Sequence, residues 1–252
     1  MNDHTTAAAP DAVRIASRQV VVALTTVAGL LVTAHLGLLM VTATTGHDVI
    51  FGLVGLFDLD SERNVPSFFS GGLLLLNAVL LWLVGRLPEQ HYSSRWFVLA
   101  AVFVFLSYDE MFSVHEQLTT PLRNTFQTSG LFYYPWVIAY LIPLIALMAW
   151  FLPAWLRLST EARRRLVAAG LLYLFGAVVM EMINGAYDEA YGHGRTLAWG
   201  LLASIEESLE MAGLITLVYA LFRLLSPAAG GAPVVFDDDY SLPIGEQAKQ
   251  DR

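Results

Sequence analysis

Six stretches of the chain are each about twenty residues long, continuous in apolar side chains and nearly free of Lys and Arg. They cover about 19–43, 67–86, 96–117, 132–155, 165–190 and 199–224. A bilayer core about 30 Å thick needs about 20 such residues in a helix. Spanning strands would alternate apolar and polar residues, and these runs do not. A helix also satisfies its own backbone groups in lipid. The fold class read from the sequence is therefore all-α, a polytopic membrane protein with a six-transmembrane-helix bundle over 19–225. Charged residues make up 14% of the chain, against about a quarter in soluble domains.

Basic residues orient the bundle. Eleven of the 14 Lys and Arg fall at one set of ends: Arg14, Arg18, Arg86, Arg95, Arg157, Arg163, Arg164, Arg165, Arg223, Lys249 and Arg252. The other set holds Arg63, Arg123 and Arg195. Positive residues stay cytoplasmic, so both termini are expected inside, in the inner (plasma) membrane of a bacterium. Residues 1–18 read as a cytoplasmic segment, and 226–252 as a disordered acidic cytoplasmic tail carrying Asp237, Asp238 and Asp239. A cleavable signal ending at Val41-Thr42-Ala43 is the rival reading of the first stretch. The apolar run before it exceeds the usual length of about 7–15 residues.

The spans carry residues that lipid disfavours. Nine of the 22 acids lie within them: Asp109, Glu110, Glu116, Glu181, Asp188, Glu189, Glu206, Glu207 and Glu210. Without these nine, the remaining acids number one fewer than the basic residues, so the net charge of −8 resides in the membrane helices. An acid at the bilayer centre costs about 2.5–3.5 kcal/mol even on the lenient insertion scale. Protons, bound cations or an aqueous cavity must compensate. Counted from the cytoplasmic arginines at about 1.5 Å per residue, Asp109, Glu181, Glu206, Glu210 and His35 all fall roughly 20–26 Å up. Helical spacing aligns Asp109, Ser113 and Glu116 on one face, with Tyr108 and His115 beside it. It also aligns Glu181, Asn184 and Asp188, and pairs Glu206 and Glu207 with Glu210. Asn77 is expected just below this layer.

Carboxylates with imidazole suit divalent Fe, Mn or Zn, as one ion or a bridged pair. The expected ligands are Asp109, Glu116, Glu181, Glu206, Glu210, His35 and His115. Tyr108, Ser113, Asn184, Asp188, Glu110 and Glu207 would support them. No Glu-x-x-His pair of the ferritin-like type occurs. A metal-dependent membrane hydrolase or oxidase acting on a lipid or apolar substrate is the leading expectation, without an assignable catalytic residue. Proton or cation transport through the same acids is the alternative, and a structural or assembly subunit the third. Membrane lipid and a second copy of the chain are the expected partners. Nucleic acid is not, because no basic footprint exists. The absence of Cys removes disulfides, thiolate metal sites and Fe–S clusters. No span holds a lysine for retinal, and a ring of acids is a poor setting for haem.

Two motifs carry a resemblance: Ser107-Tyr108-Asp109-Glu110 followed by His115-Glu116, and Glu206-Glu207-Ser208-Leu209-Glu210-Met211. They resemble multi-pass bacterial membrane proteins of uncharacterised function, with S-x-D-E…H-E and E-E-x-L-E-M-x-G patterns. The resemblance covers the third, fifth and sixth spans. It implies the six-helix layout and the acidic cluster, and it implies no reaction.

Overall fold

The computed structural model describes residues 13–47, 49–87, 90–192, 196–226 and 234–237. Asp48, Arg195 and most of the C-terminal tail lie outside the described residues. Nine α-helices are described: α1 (Ser17–Thr45), α2 (Leu53–Phe57), α3 (Val65–Gly85), α4 (Ser93–Phe112), α5 (Val114–Phe126), α6 (Trp136–Leu156), α7 (Thr160–Leu174), α8 (Glu181–Tyr191) and α9 (Leu197–Leu225). Five spans are long and apolar enough to cross a membrane, counting α7 to α8 as one, and six if the bent pair α4–α5 counts as a span. Two four-residue strands, β1 (Val13–Ala16) and β2 (Val234–Asp237), pair in parallel. That pairing joins the segment before α1 to the segment after α9. An even number of crossings requires both to lie at the same end.

Helix starts are set locally. Asn64 begins α3 with a capping box: its side chain accepts from Ser67 N–H at 3.1 Å, and Ser67 Oγ accepts from Asn64 N–H at 3.0 Å. Pro66 fits the first turn, where no backbone donor is needed. Ser159 and Thr196 cap α7 and α9 by accepting the N–H of Ala162 and of Trp199. In α1, Thr25 and Thr33 donate their hydroxyls to Val21 and Gly29 carbonyls, so the helix offers lipid few free polar groups.

The central element is α9, which packs against α1, α3, α7 and α8. Lipid supplies no hydrophobic drive between helices, so small residues that permit close approach matter more. At Gly213 an added Cβ would lie 2.5 Å from the Tyr173 backbone nitrogen; at Gly71 it would lie 2.6 Å from Met111. Toward the arginine-bearing ends the interior is dry. Leu80, Leu81, Val84, Trp96, Val218, Leu221 and Phe222 form one buried cluster, and Trp96 meets Phe151 edge-on at 5.0 Å. Arginines close that end against aromatic rings, with Arg95 over Tyr92 and Trp150, and Arg163 over Trp155.

Two spans depart from the expected uniform helices. The third, expected as 96–117, stops at Phe112. Ser113 adopts a left-handed conformation (φ 56°) and α5 leaves at 80°. The fifth contains a π-helical segment, Phe175–Met180, between α7 and α8.

Candidate functional site

The break at Ser113 organises the site. Asp109, near the end of α4, accepts the backbone N–H of His115 at 2.7 Å. Gln117 donates to the Ser113 carbonyl at 3.1 Å. These bonds satisfy groups that a continuous helix would have paired internally. They also fold the His115 side chain back over Asp109, with Nδ1 3.3 Å from Oδ1. The expected single face of Asp109, Ser113 and Glu116 is therefore not formed. Ser113 is buried at the corner, while Glu116 is exposed on the departing helix.

The Nε2 of His115 faces Glu62 Oε1 at 3.6 Å. Glu62 reaches this position because Asn64, besides capping α3, donates to the carbonyls of Asp58 and Gly55. The loop after α2 is thereby folded onto the bundle. Burial pushes the Glu62 carboxyl from 4.5 up to about 8; His115 opposes this, and Glu116, Glu110 and Asp109 add to it. The second carboxyl oxygen of Glu62 is buried without a hydrogen-bond partner.

Trp136 bridges to the other acids. Its ring lies 4.5 Å from the His115 imidazole, and its Nε1 donates to Glu181 Oε1 at 2.8 Å. Glu181, at the start of α8, is within hydrogen-bonding reach of Glu206. Asn184 donates to the other oxygen of Glu206. The π-helical segment is close enough that a Cβ on Gly176 would lie 2.7 Å from Glu210 Cγ. π-Segments are often found at functional sites; here one sets α8 against the glutamates of α9. Glu207 interacts electrostatically with Glu110, Glu210, Glu62 and Asp60. Glu210 interacts with Glu110, Glu181, His115 and Glu62. The site thus gathers Glu62, Asp109, Glu110, Glu181, Glu206, Glu207 and Glu210. Among the described residues, two of these acids form ion pairs, Asp109 and Glu62, both with His115.

Other expected residues sit apart. His35 is buried, and its Nδ1 accepts the Leu59 backbone N–H at 3.0 Å beside Asp58 at 3.5 Å. It anchors the α2–α3 loop. Asp188 accepts from the Tyr134 hydroxyl at 2.8 Å; burial, then that bond, raises the Tyr134 hydroxyl above its usual range. Tyr108 is exposed and packs on Phe112. Asn77 ties α3 to α9 by donating to the Leu214 carbonyl at 3.1 Å. Among the described residues, no three His, Asp or Glu side chains converge as metal ligands do.

Sequence reasoning passed over Glu62, Trp136, Tyr140 and Tyr173. Tyr140 faces Asp109, and Tyr173 faces Glu210, Glu110, Asp109 and Glu207. For Glu62 the usable signal was the Asn64–Ser67 capping box just downstream.

No curated protein and no solved structure matches the chain. A family described as a domain of unknown function (DUF8692) matches residues 20–224, from early in α1 to the end of α9. The span contains the whole carboxyl cluster, and the chain belongs to that family.

Proposed function

We propose that this protein binds cations at its outer-half carboxyl–imidazole cluster, with protons as the occupant and both termini in the cytoplasm. One observation carries the reading: seven carboxyls form one electrostatically linked group, and among the described residues the cation paired with them is His115. Several negative charges crowded at one half-buried place are not sustainable without compensation. The Glu181–Glu206 contact favours protons, because two carboxyls share a hydrogen bond only when one of them carries a proton. Tyr140, Tyr173 and Asn184 supply polar contacts that a partly protonated network can use.

The arginine-bearing half supports access from one side. Beneath the cluster lie Leu80, Leu81, Val218 and Leu221, and among the described residues no polar chain continues through them. Cations would enter and leave by the acidic end, which the positive-inside rule places outside. This suits a sensor or a site of chemistry better than an open conduit.

The test pairs infrared difference spectroscopy between pH 5 and pH 9 with elemental analysis, on full-length protein and a Glu181→Gln/Glu206→Gln variant. Protonated-carboxyl bands that diminish in the variant support the proposal. Near-stoichiometric Fe, Mn or Zn, lost in Asp109→Ala/Glu210→Ala, would replace protons by a metal and restore a metalloenzyme as the leading reading. Neither bands nor metal would sink cation binding altogether.

A further inference from the structure

The 80° turn after Phe112 leaves α5 unlike every other long helix of the bundle. α4 has 20 residues, which at about 1.5 Å each reach about 30 Å, the thickness of a hydrocarbon core. The crossing is thus complete where the chain turns. A helix leaving a crossing at 80° runs nearly in the plane of the membrane.

The sequence of α5 divides into two faces. Val114, Leu118, Leu122 and Phe126 recur every four residues on one. Glu116, Thr120, Arg123, Asn124 and Gln127 occupy the other. One edge of the apolar arc turns to the bundle, through His115 and the buried Thr119. Along the rest, Val114 and Leu122 are half-buried, while Leu118 and Phe126 are 37% and 66% exposed.

That uncovered surface continues the lipid-facing surface at both ends. On one side Phe105, Tyr108 and Phe112 of α4 are exposed. On the other, Leu131 and Phe132 lead to Ile138 and Ile142 of α6. The charges of α5 balance, with Glu116 in its first turn and Arg123 in its last. Arg123 lies over the Tyr133 ring at 4.0 Å, an aromatic placed as interfacial aromatics are.

We infer that α5 is an interfacial helix, lying on the leaflet at the acidic end with its Val114–Leu118–Leu122–Phe126 stripe in the acyl boundary. Such helices bury one apolar face at the headgroup border. The partner is the lipid surface itself, and the balanced charge means that anionic headgroups are not required. The inference rests on the spanning assignment and is independent of what the cluster binds. Because α5 carries His115, the bilayer surface holds one wall of that cluster.

The chain has no cysteine, so single spin labels need no altered background. Leu118→Cys, Thr120→Cys, Asn124→Cys and Phe126→Cys would be labelled in full-length protein in phosphatidylcholine vesicles. Collisions with oxygen and with a water-soluble nickel chelate would then be compared. The oxygen-to-nickel ratio should be severalfold higher at 118 and 126 than at 120 and 124, and unchanged when phosphatidylglycerol is added. Nickel access at all four positions would place α5 in water. Access to neither reagent would place it inside the protein, as a re-entrant segment or under a second copy. Either result would overturn the inference. Phe126→Trp, read by brominated-lipid quenching against the wild type with its six native tryptophans, repeats the test with a milder change: added fluorescence that bromine quenches supports the interfacial placement, and added fluorescence that bromine leaves unquenched refutes it.

Discussion

The two halves of α9 belong to different kinds of interior. From Met211 to Leu225 the helix is packed on most sides, with Val218 and Leu221 wholly buried. From Ile205 to Glu210 it is only partly covered, and three of its six side chains are carboxylic acids. Toward the arginines, the neighbours Leu80, Leu81, Val84 and Trp96 interlock as a dry core. Toward the acids, the neighbours are Asn184, Glu181 and Glu110, groups that need protons, cations or water. The contrast teaches that holding the bundle together and hosting its chemistry are separated along one helix. In lipid, adhesion comes from van der Waals contact and close backbone approach. A half filled with partly exposed carboxyls is poor at both.

The largest test of that division sets Trp96 against Glu206. Trp96→Ala empties a fully buried site and removes the ring contact with Phe151. It should cost about 3–5 kcal/mol, read as a lowered unfolding midpoint in detergent. Glu206→Gln keeps an oxygen for Asn184 and removes a charge from a crowded group, so its cost should stay below about 1 kcal/mol. Equal losses would break the comparison and make the acidic half a structural element.

A second pair uses glycines. In Gly213→Ala the new methyl meets Tyr173 backbone, which cannot step aside. Overpacking of this kind costs about 1–3 kcal/mol. In Gly176→Ala the first obstacle is the Glu210 side chain, which can rotate, although the Glu206 carbonyl follows at 2.9 Å. The loss should be smaller, with the main effect on the carboxyl bands of the cluster. Thermal unfolding of both variants beside their infrared spectra checks the ordering.

The third prediction concerns pH. The Glu62 carboxyl rises from 4.5 to about 8 on folding, chiefly by burial. The folded state therefore holds its proton more tightly than the unfolded state does. The contribution to stability is complete below about pH 4.5 and is lost as pH rises through about 8. Glu62→Gln should flatten this dependence, raising the unfolding midpoint at pH 9 relative to wild type with little change at pH 5. An unchanged difference across that range would remove Glu62 from the buried cluster.

How much of this was legible in the sequence follows the same division. Continuous apolar runs and the placement of arginines define the spans, because lipid demands both. Counting from Arg95, Arg165 and Arg223 puts Asp109, Glu181 and Glu210 in one layer because helical rise is constant. The structure does bring these three acids into one cluster. Counting fails where backbone regularity fails. Nothing at Ser113 reads as a helix end: no Gly or Pro stands there, and the stop is made by the Asp109 carboxylate taking the His115 N–H. His35 shares the expected depth, but its bond to Leu59 commits it to the loop. Glu62 resembles an ordinary loop acid until the bonds of Asn64 fold that loop inward.

The smallest expected effect lies at the corner itself. Ser113 has φ 56° and ψ 44°, a left-handed conformation that costs an L-residue about 1–2 kcal/mol. Glycine adopts it freely, but an unfolded chain with glycine has more entropy to lose, about 0.5–1 kcal/mol. Ser113→Gly should therefore change stability by under about 1 kcal/mol, in the stabilising direction. Its value is in what it leaves alone. If the bonds from Asp109 and Gln117 fix the bend, glycine preserves the contact between His115 and Glu62, and the pH dependence assigned to Glu62 persists. If the backbone preference of Ser113 held the bend, glycine would loosen α5, and that dependence would shrink with the fold intact. Measuring the unfolding midpoint of Ser113→Gly from pH 5 to pH 9 separates the two. The first outcome is expected, because side chains on both sides of the corner tie it down.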